Sequence, residues 1–145
     1  DTDNPLTPMA RQGCESCHGP ASFHVSRAHG GRGFPPLIRF GRGAGASGRD
    51  LQLKACLDCH GLEGAAESVG FTGSAHDRRP INCATCHEAH VESEPMRDPQ
   101  RQAATCYRCH ADQRTGHRGF GNRPIDVSSR PCASCHDVHQ ARRKN

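Results

Sequence analysis

Cysteine and histidine carry the chemistry of this chain. All ten cysteines fall in one motif, written five times: Cys14-Glu-Ser-Cys17-His18, Cys56-Leu-Asp-Cys59-His60, Cys83-Ala-Thr-Cys86-His87, Cys106-Tyr-Arg-Cys109-His110 and Cys132-Ala-Ser-Cys135-His136. In one helical turn, residues i, i+3 and i+4 share a face. Two thiols so spaced can form thioethers to the two vinyl groups of one porphyrin, and the histidine beneath the ring gives its imidazole to the iron. The spacing predicts five covalently attached haems c. Disulfides would not require a histidine after every second cysteine; with 11 histidines in 145 residues, five such coincidences have a chance of roughly three in a million. Zinc ribbons take two Cys-X-X-Cys units per metal, so five units leave one over. A thioredoxin-like motif needs a βαβ setting, and no alternating strand pattern is visible.

Each iron then needs a second axial ligand or stays open. Six histidines lie outside the motifs (His24, His29, His76, His90, His117 and His139) and there are two methionines, Met9 and Met96. Six histidines for five irons make bis-histidine ligation the economical reading. His90 and His139 lie three residues beyond His87 and His136. So short a tether prevents either from curling over its own haem, and each is expected to ligate a neighbouring one. His76 and His117, in polar loops ahead of the third and fifth motifs, are further candidates. His24 and His29 compete for the remaining place, with His24 favoured and His29 the spare. Two neutral imidazoles keep iron low-spin with little change of geometry on reduction, which suits electron transfer and leaves no room for substrate. Without the potential-raising methionine ligand, the haems should have low potentials.

The elements that must position these groups have little apolar material. Leu, Ile, Val and Phe together number 19 of 145, about 13%, below the roughly 20% expected of a globular chain. There is no tryptophan, and Tyr107 is the one tyrosine. Five porphyrins would replace the missing aliphatic interior, so the haem-free chain is expected to be unfolded. The length suits a single domain, 1–145. Its motif intervals are too irregular for a solenoid. The stretch from Gly30 to Gly48 reads as an irregular loop with an apolar clasp, Phe34-Pro-Pro-Leu-Ile-Arg-Phe40. Short helices are the expected regular elements. Thr7-Pro8 and Asp98-Pro99 look like caps followed by proline at the first helical position, leading towards Cys14 and Cys106. Asp50 is a candidate cap for a helix running into Cys56. The fold class expected is mostly irregular with short α-helices, haem-packed, without a substantial sheet.

Several stretches resemble a known group. Cys14-Glu-Ser-Cys17-His18-Gly-Pro followed by Phe23-His24-Val25 is similar to the first site of the periplasmic decahaem cytochromes of outer-membrane electron conduits. Ser74-Ala-His76, Ile81-Asn-Cys83-Ala-Thr-Cys86-His87-Glu-Ala-His90 and Pro131-Cys132-Ala-Ser-Cys135-His136-Asp-Val-His139 resemble their repeated unit. With five motifs, the chain is nearer in size to half of such a protein, or to the pentahaem electron donor of periplasmic nitrite reductase. The resemblance implies a haem-packed, mostly irregular helical fold with His24, His76, His90, His117 and His139 as distal ligands. The glycine-rich insert at 30–48 is a departure beside the first site.

Function follows from these expectations. The leading reading is a periplasmic or secreted electron carrier serving redox partner proteins. The alternative is a subunit of an extracellular cytochrome filament, in which the sixth histidine would ligate a haem of another copy. A nitrite, sulfite or hydroxylamine reductase would need an open iron. All five motifs end in histidine, without the lysine-ligated variant of the pentahaem nitrite reductases, so no enzymatic activity is expected. Covalent haem attachment takes place outside the cytoplasm, which predicts a leader removed ahead of Asp1. No apolar run approaches the 18–20 residues of a membrane span. The formal charge of +4 is misleading, because each ferric haem adds about −1 through its propionates. The loaded protein is then near −1 when oxidised and about −6 when reduced, which argues against nucleic acid as a partner.

Overall fold

The computed structural model describes residues 5, 8–22, 25, 36–61, 70–119, 123, 125–127 and 130–139. Among these, the chain is mostly irregular, with short helices and no sheet, as its composition predicts. Helices occupy Pro8–Gln12, Glu15–His18, Arg49–His60, Pro99–Tyr107 and Gln113–Gly116, with 3₁₀ turns at Pro95–Arg97, Cys83–Thr85 and Cys132–Ser134.

Local sequence explains where these begin. Asp98 accepts hydrogen bonds from the amides of Gln100 and Arg101, and Pro99 takes the first helical position, where a missing N–H costs nothing. The first helix starts at Pro8 as anticipated, while Thr7 lies outside the described residues. Gly13, at φ +53°, breaks that helix before the motif, and Glu15–His18 resumes it. Asp50 is not a cap. Gly48, with an extended backbone (φ −53°, ψ 146°), takes the cap position, so the helix begins at Arg49 and Asp50 falls within its first turn. There its charge still favours the helix dipole.

The chain divides into two compact units, Asp1–Val69 and Gly70–Asn145. The first holds two motifs and the second three. In the first, the helix Glu15–His18 packs on Arg49–His60. In the second, Pro99–Tyr107 packs on the 3₁₀ turns Pro95–Arg97 and Cys132–Ser134.

Apolar burial alone does not hold either unit. Among the described residues the buried hydrophobic side chains are Leu53 and Phe71, beside the buried polar Gln52, Ser74, Asn82 and Gln102. The two glutamines tie helix to loop. Gln52 accepts from the amide of Gly41 at 3.0 Å and donates to the carbonyls of Gly41 and Ser47 at 3.2 and 2.6 Å. Gln102 accepts from the amide of Ala133 at 2.9 Å and donates to the carbonyl of Met96 at 3.0 Å. A buried polar group left without its partner costs about 1–3 kcal/mol. Gln102→Ala removes both of its hydrogen bonds, to the half-buried Met96 carbonyl and to the Ala133 amide, and should destabilise the loaded protein by about 1–3 kcal/mol, measured as a lowered denaturation midpoint.

Candidate haem-binding site

Each motif is wound into one turn. The amide of the motif histidine donates to the carbonyl of the first cysteine at 2.9 Å in His18 and His87 and 3.0 Å in His110 and His136. His60 achieves the same within the helix Arg49–His60. The lead-ins differ: the motifs at Cys56 and Cys106 run from longer helices, whereas those at Cys83 and Cys132 form isolated 3₁₀ turns. At Cys83, Asn82 and Thr85 hold the turn; the Asn82 amide donates to Thr85 Oγ1 at 3.1 Å and that hydroxyl donates to Asn82 Oδ1 at 3.0 Å. None of the ten cysteines is joined in a disulfide; Cys14, Cys59, Cys109 and Cys135 are exposed, and Cys17, Cys56, Cys83, Cys86, Cys106 and Cys132 are half-buried. Among the described residues no three histidine, cysteine or acidic side chains form a metal-holding group.

The histidines instead form pairs. His76 lies opposite His110 with ring centres 6.2 Å apart, His139 opposite His87 at 6.0 Å, and His117 opposite His136 at 5.9 Å. In every pair one member belongs to a motif and the other does not. A metal–imidazole bond is about 2 Å and ring nitrogen to ring centre about 1.1 Å, so two imidazoles on one metal stand about 6 Å apart. The donor sets fit haem iron. The ring planes cross at 72° in His76–His110 and 66° in His117–His136, but lie within 21° of parallel in His87–His139. Parallel axial imidazoles split the iron's two π-type d orbitals and crossed ones leave them nearly degenerate, so the two arrangements differ in ferric low-spin signature.

The chain around each partner histidine is built to hold it. Ser74 is fully buried and its hydroxyl accepts from the amide of Asp77 at 3.2 Å. Asp77 in turn accepts from the amide of Gly73 at 2.8 Å, closing a knot around His76. His117 is fixed by a small turn in which its carbonyl accepts from the Ile125 amide at 3.1 Å and Gly119 donates to Arg123 at 2.7 Å. A Cβ at Gly119 would collide with the Ile125 side chain. Among the described residues, the buried Nδ1 of His117 has no hydrogen-bond partner, as expected of an atom beside a site for a bound group. Burial, chiefly, together with the nearby His87, holds His139 below the usual histidine range, with Asp137 opposing and His76 assisting. It is therefore neutral at neutral pH, the form that offers a lone pair to a metal.

The motifs of the second unit also meet. Burial pushes the Cys106 thiol up to about 11, aided by its neighbour and hydrogen-bond partner Cys132 and by Cys86. Arg108, between the cysteines of the fourth motif, donates to the carbonyl of Thr85, within the third, at 2.8 Å. Cysteines of three motifs thus share one neighbourhood.

In the first unit, the visible part of the glycine-rich segment serves His18. The Ile38 amide donates to the His18 carbonyl at 2.9 Å, and His18 Nδ1 lies 2.7 Å from the Ile38 carbonyl oxygen. Phe40 meets the His18 ring edge-on at 5.3 Å. This realises the C-terminal half of the apolar clasp; Phe34 and Pro35 lie outside the described residues. A motif histidine whose Nδ1 faces a carbonyl is fixed in the tautomer that frees Nε2 for metal. His60 and His90 are exposed, His90 in the turn beyond His87, and His24 and His29 lie outside the described residues. The sequence reading missed Glu94, whose carboxylate lies 3.5 Å from His87 Nδ1; an acid in a polar loop carries no pattern that marks it.

Comparison with known proteins agrees with this chemistry. Residues 14–101, which include the first three motifs, match the family model described as cytochrome c-type protein NrfB-like. Over 137 residues, 94% of the chain, it is 31% identical to the multiheme cytochrome MtrA of Shewanella baltica (strain OS185). The chain spans 38% of that relative's length.

Proposed function

Because the chain belongs to the NrfB-like family of c-type cytochromes, we propose that it transfers electrons along five covalently bound haems, each iron held between two histidines. The observation that carries this reading is the set of three motif histidines facing non-motif histidines at 5.9–6.2 Å. His110 with His76, His87 with His139 and His136 with His117 would hold three irons; His24 and His90 are the remaining candidates for distal imidazoles. The ten motif cysteines attach the porphyrins. The haem supplies one-electron chemistry, and the protein supplies attachment, axial ligands and spacing. The shared neighbourhood of Cys86, Cys106 and Cys132 supports close approach of three haem edges, which electron transfer requires.

With both axial positions filled, no iron is open to substrate, and the protein acts as a carrier between redox partner proteins rather than as an enzyme. Residues 1–145 serve as one pentahaem domain. Covalent attachment of haem outside the cytoplasm supports a periplasmic or extracellular site of action. Among the described residues no helix is long and apolar enough to cross a membrane. The filament reading rests on the sixth non-motif histidine, and light scattering separates it from a monomeric carrier.

A reductive titration tests the proposal. The purified protein should accept five electrons per chain, and carbon monoxide should leave the ferrous spectrum unchanged. Fewer than five electrons, or a spectrum altered by the gas, contradicts it.

A further inference from the structure

The Glu94–His87 contact bears on how these haems differ. Once His87 Nε2 is committed to iron, Nδ1 carries the ring proton and is the only nitrogen left to donate. Glu94 Oε1 faces that atom at 3.5 Å. The carboxylate is not a wandering surface group. Oε2 accepts from the Met96 amide at 2.9 Å, so Glu94 caps the 3₁₀ turn Pro95–Arg97, and Oε1 also accepts from the Glu88 amide at 3.4 Å. Pro95, next to it, is buried. The loop from His87 to Glu94 is closed on itself with a fixed negative charge at the back of the imidazole. By contrast, His18 Nδ1 faces a backbone carbonyl.

We propose that Glu94 sets the reduction potential of the haem at Cys83, Cys86 and His87, holding it lower than a neutral partner would. The inference rests on the reading of His87 as an iron ligand. A glutamate is ionised at neutral pH, and its pull on the Nδ1 proton makes the imidazole a stronger donor to iron, which favours the ferric form. The same charge opposes the electron that arrives on reduction. One electron enters ferric iron to give ferrous iron, and no proton is transferred. Glu94 is a positioning residue: it acts through His87.

The test is a potentiometric titration of the loaded protein followed by electron paramagnetic resonance. The near-parallel His87–His139 pair separates its haem from the crossed pairs. Glu94→Gln keeps a side-chain acceptor but removes the charge. It should move the midpoint of one near-parallel component upward, leaving the crossed components and the haem content unchanged. Glu92→Gln removes the same charge from an exposed position two residues away and should shift nothing. Unaltered midpoints in Glu94→Gln, or an equal shift in Glu92→Gln, overturn the proposal. If Glu94→Gln loads fewer than five haems, Glu94→Asp carries the test: its shorter reach should raise the same midpoint by a smaller amount, and no change overturns the proposal. A wild-type protein lacking low-spin ferric signals would instead overturn the ligand reading itself.

Discussion

Produced without attached haem, the chain is expected to show no cooperative unfolding transition by heat or denaturant. The described residues bury Leu53, Phe71 and Pro95 as apolar side chains, far short of what offsets the conformational entropy of ordering a chain this long. Haem changes that in two ways. It provides large apolar faces, and on the proposed ligation it would act as a cross-link, each porphyrin tied to one segment by its motif and to a distant one through the second imidazole. Bridged by iron, the pairs His76–His110, His87–His139 and His117–His136 would close loops for which chain-entropy estimates give about 3–4 kcal/mol each. Together these are comparable to the whole stability of an ordinary domain, about 5–15 kcal/mol. Circular dichroism of apoprotein during denaturation checks the expectation. A sigmoidal transition with a folded baseline would refute it.

Replacing His139 by alanine should open one iron of the five. Its ring faces His87 at 6.0 Å, and burial keeps it neutral and available. Without it the iron at His87 becomes five-coordinate, giving a high-spin ferric signal and a ferrous form that binds carbon monoxide. The amplitude should be that of one haem in five, against none in the wild type. His29→Ala, by contrast, should leave every iron six-coordinate. If His139→Ala binds no carbon monoxide, another group holds that iron.

The cysteine motifs were legible from spacing alone, because they are local: one helical turn brings i, i+3 and i+4 together whatever the rest of the chain does. So was the cap at Asp98-Pro99, for the same reason. The scarcity of aliphatic residues pointed to an irregular, haem-packed fold, in keeping with the described secondary structure. Asp50 was misread because capping depends on where the preceding loop leaves the chain, and that loop ends at Gly48. The histidine partners were not legible. Spacing placed His139 near a haem other than its own, but the choice of His87 depends on contacts some 50 residues apart in sequence. Gln52 and Gln102 escaped notice because a glutamine is ordinarily a surface residue; here each is itself buried and ties a helix to backbone groups of a neighbouring segment.

The central claim is that imidazoles from separate segments hold every iron on both faces. Electron paramagnetic resonance of the oxidised protein at low temperature tests it most directly. The predicted spectrum contains only low-spin ferric signals, integrating to five per chain, with near-parallel and crossed components both present. A high-spin ferric signal amounting to one or more haems per chain would contradict it.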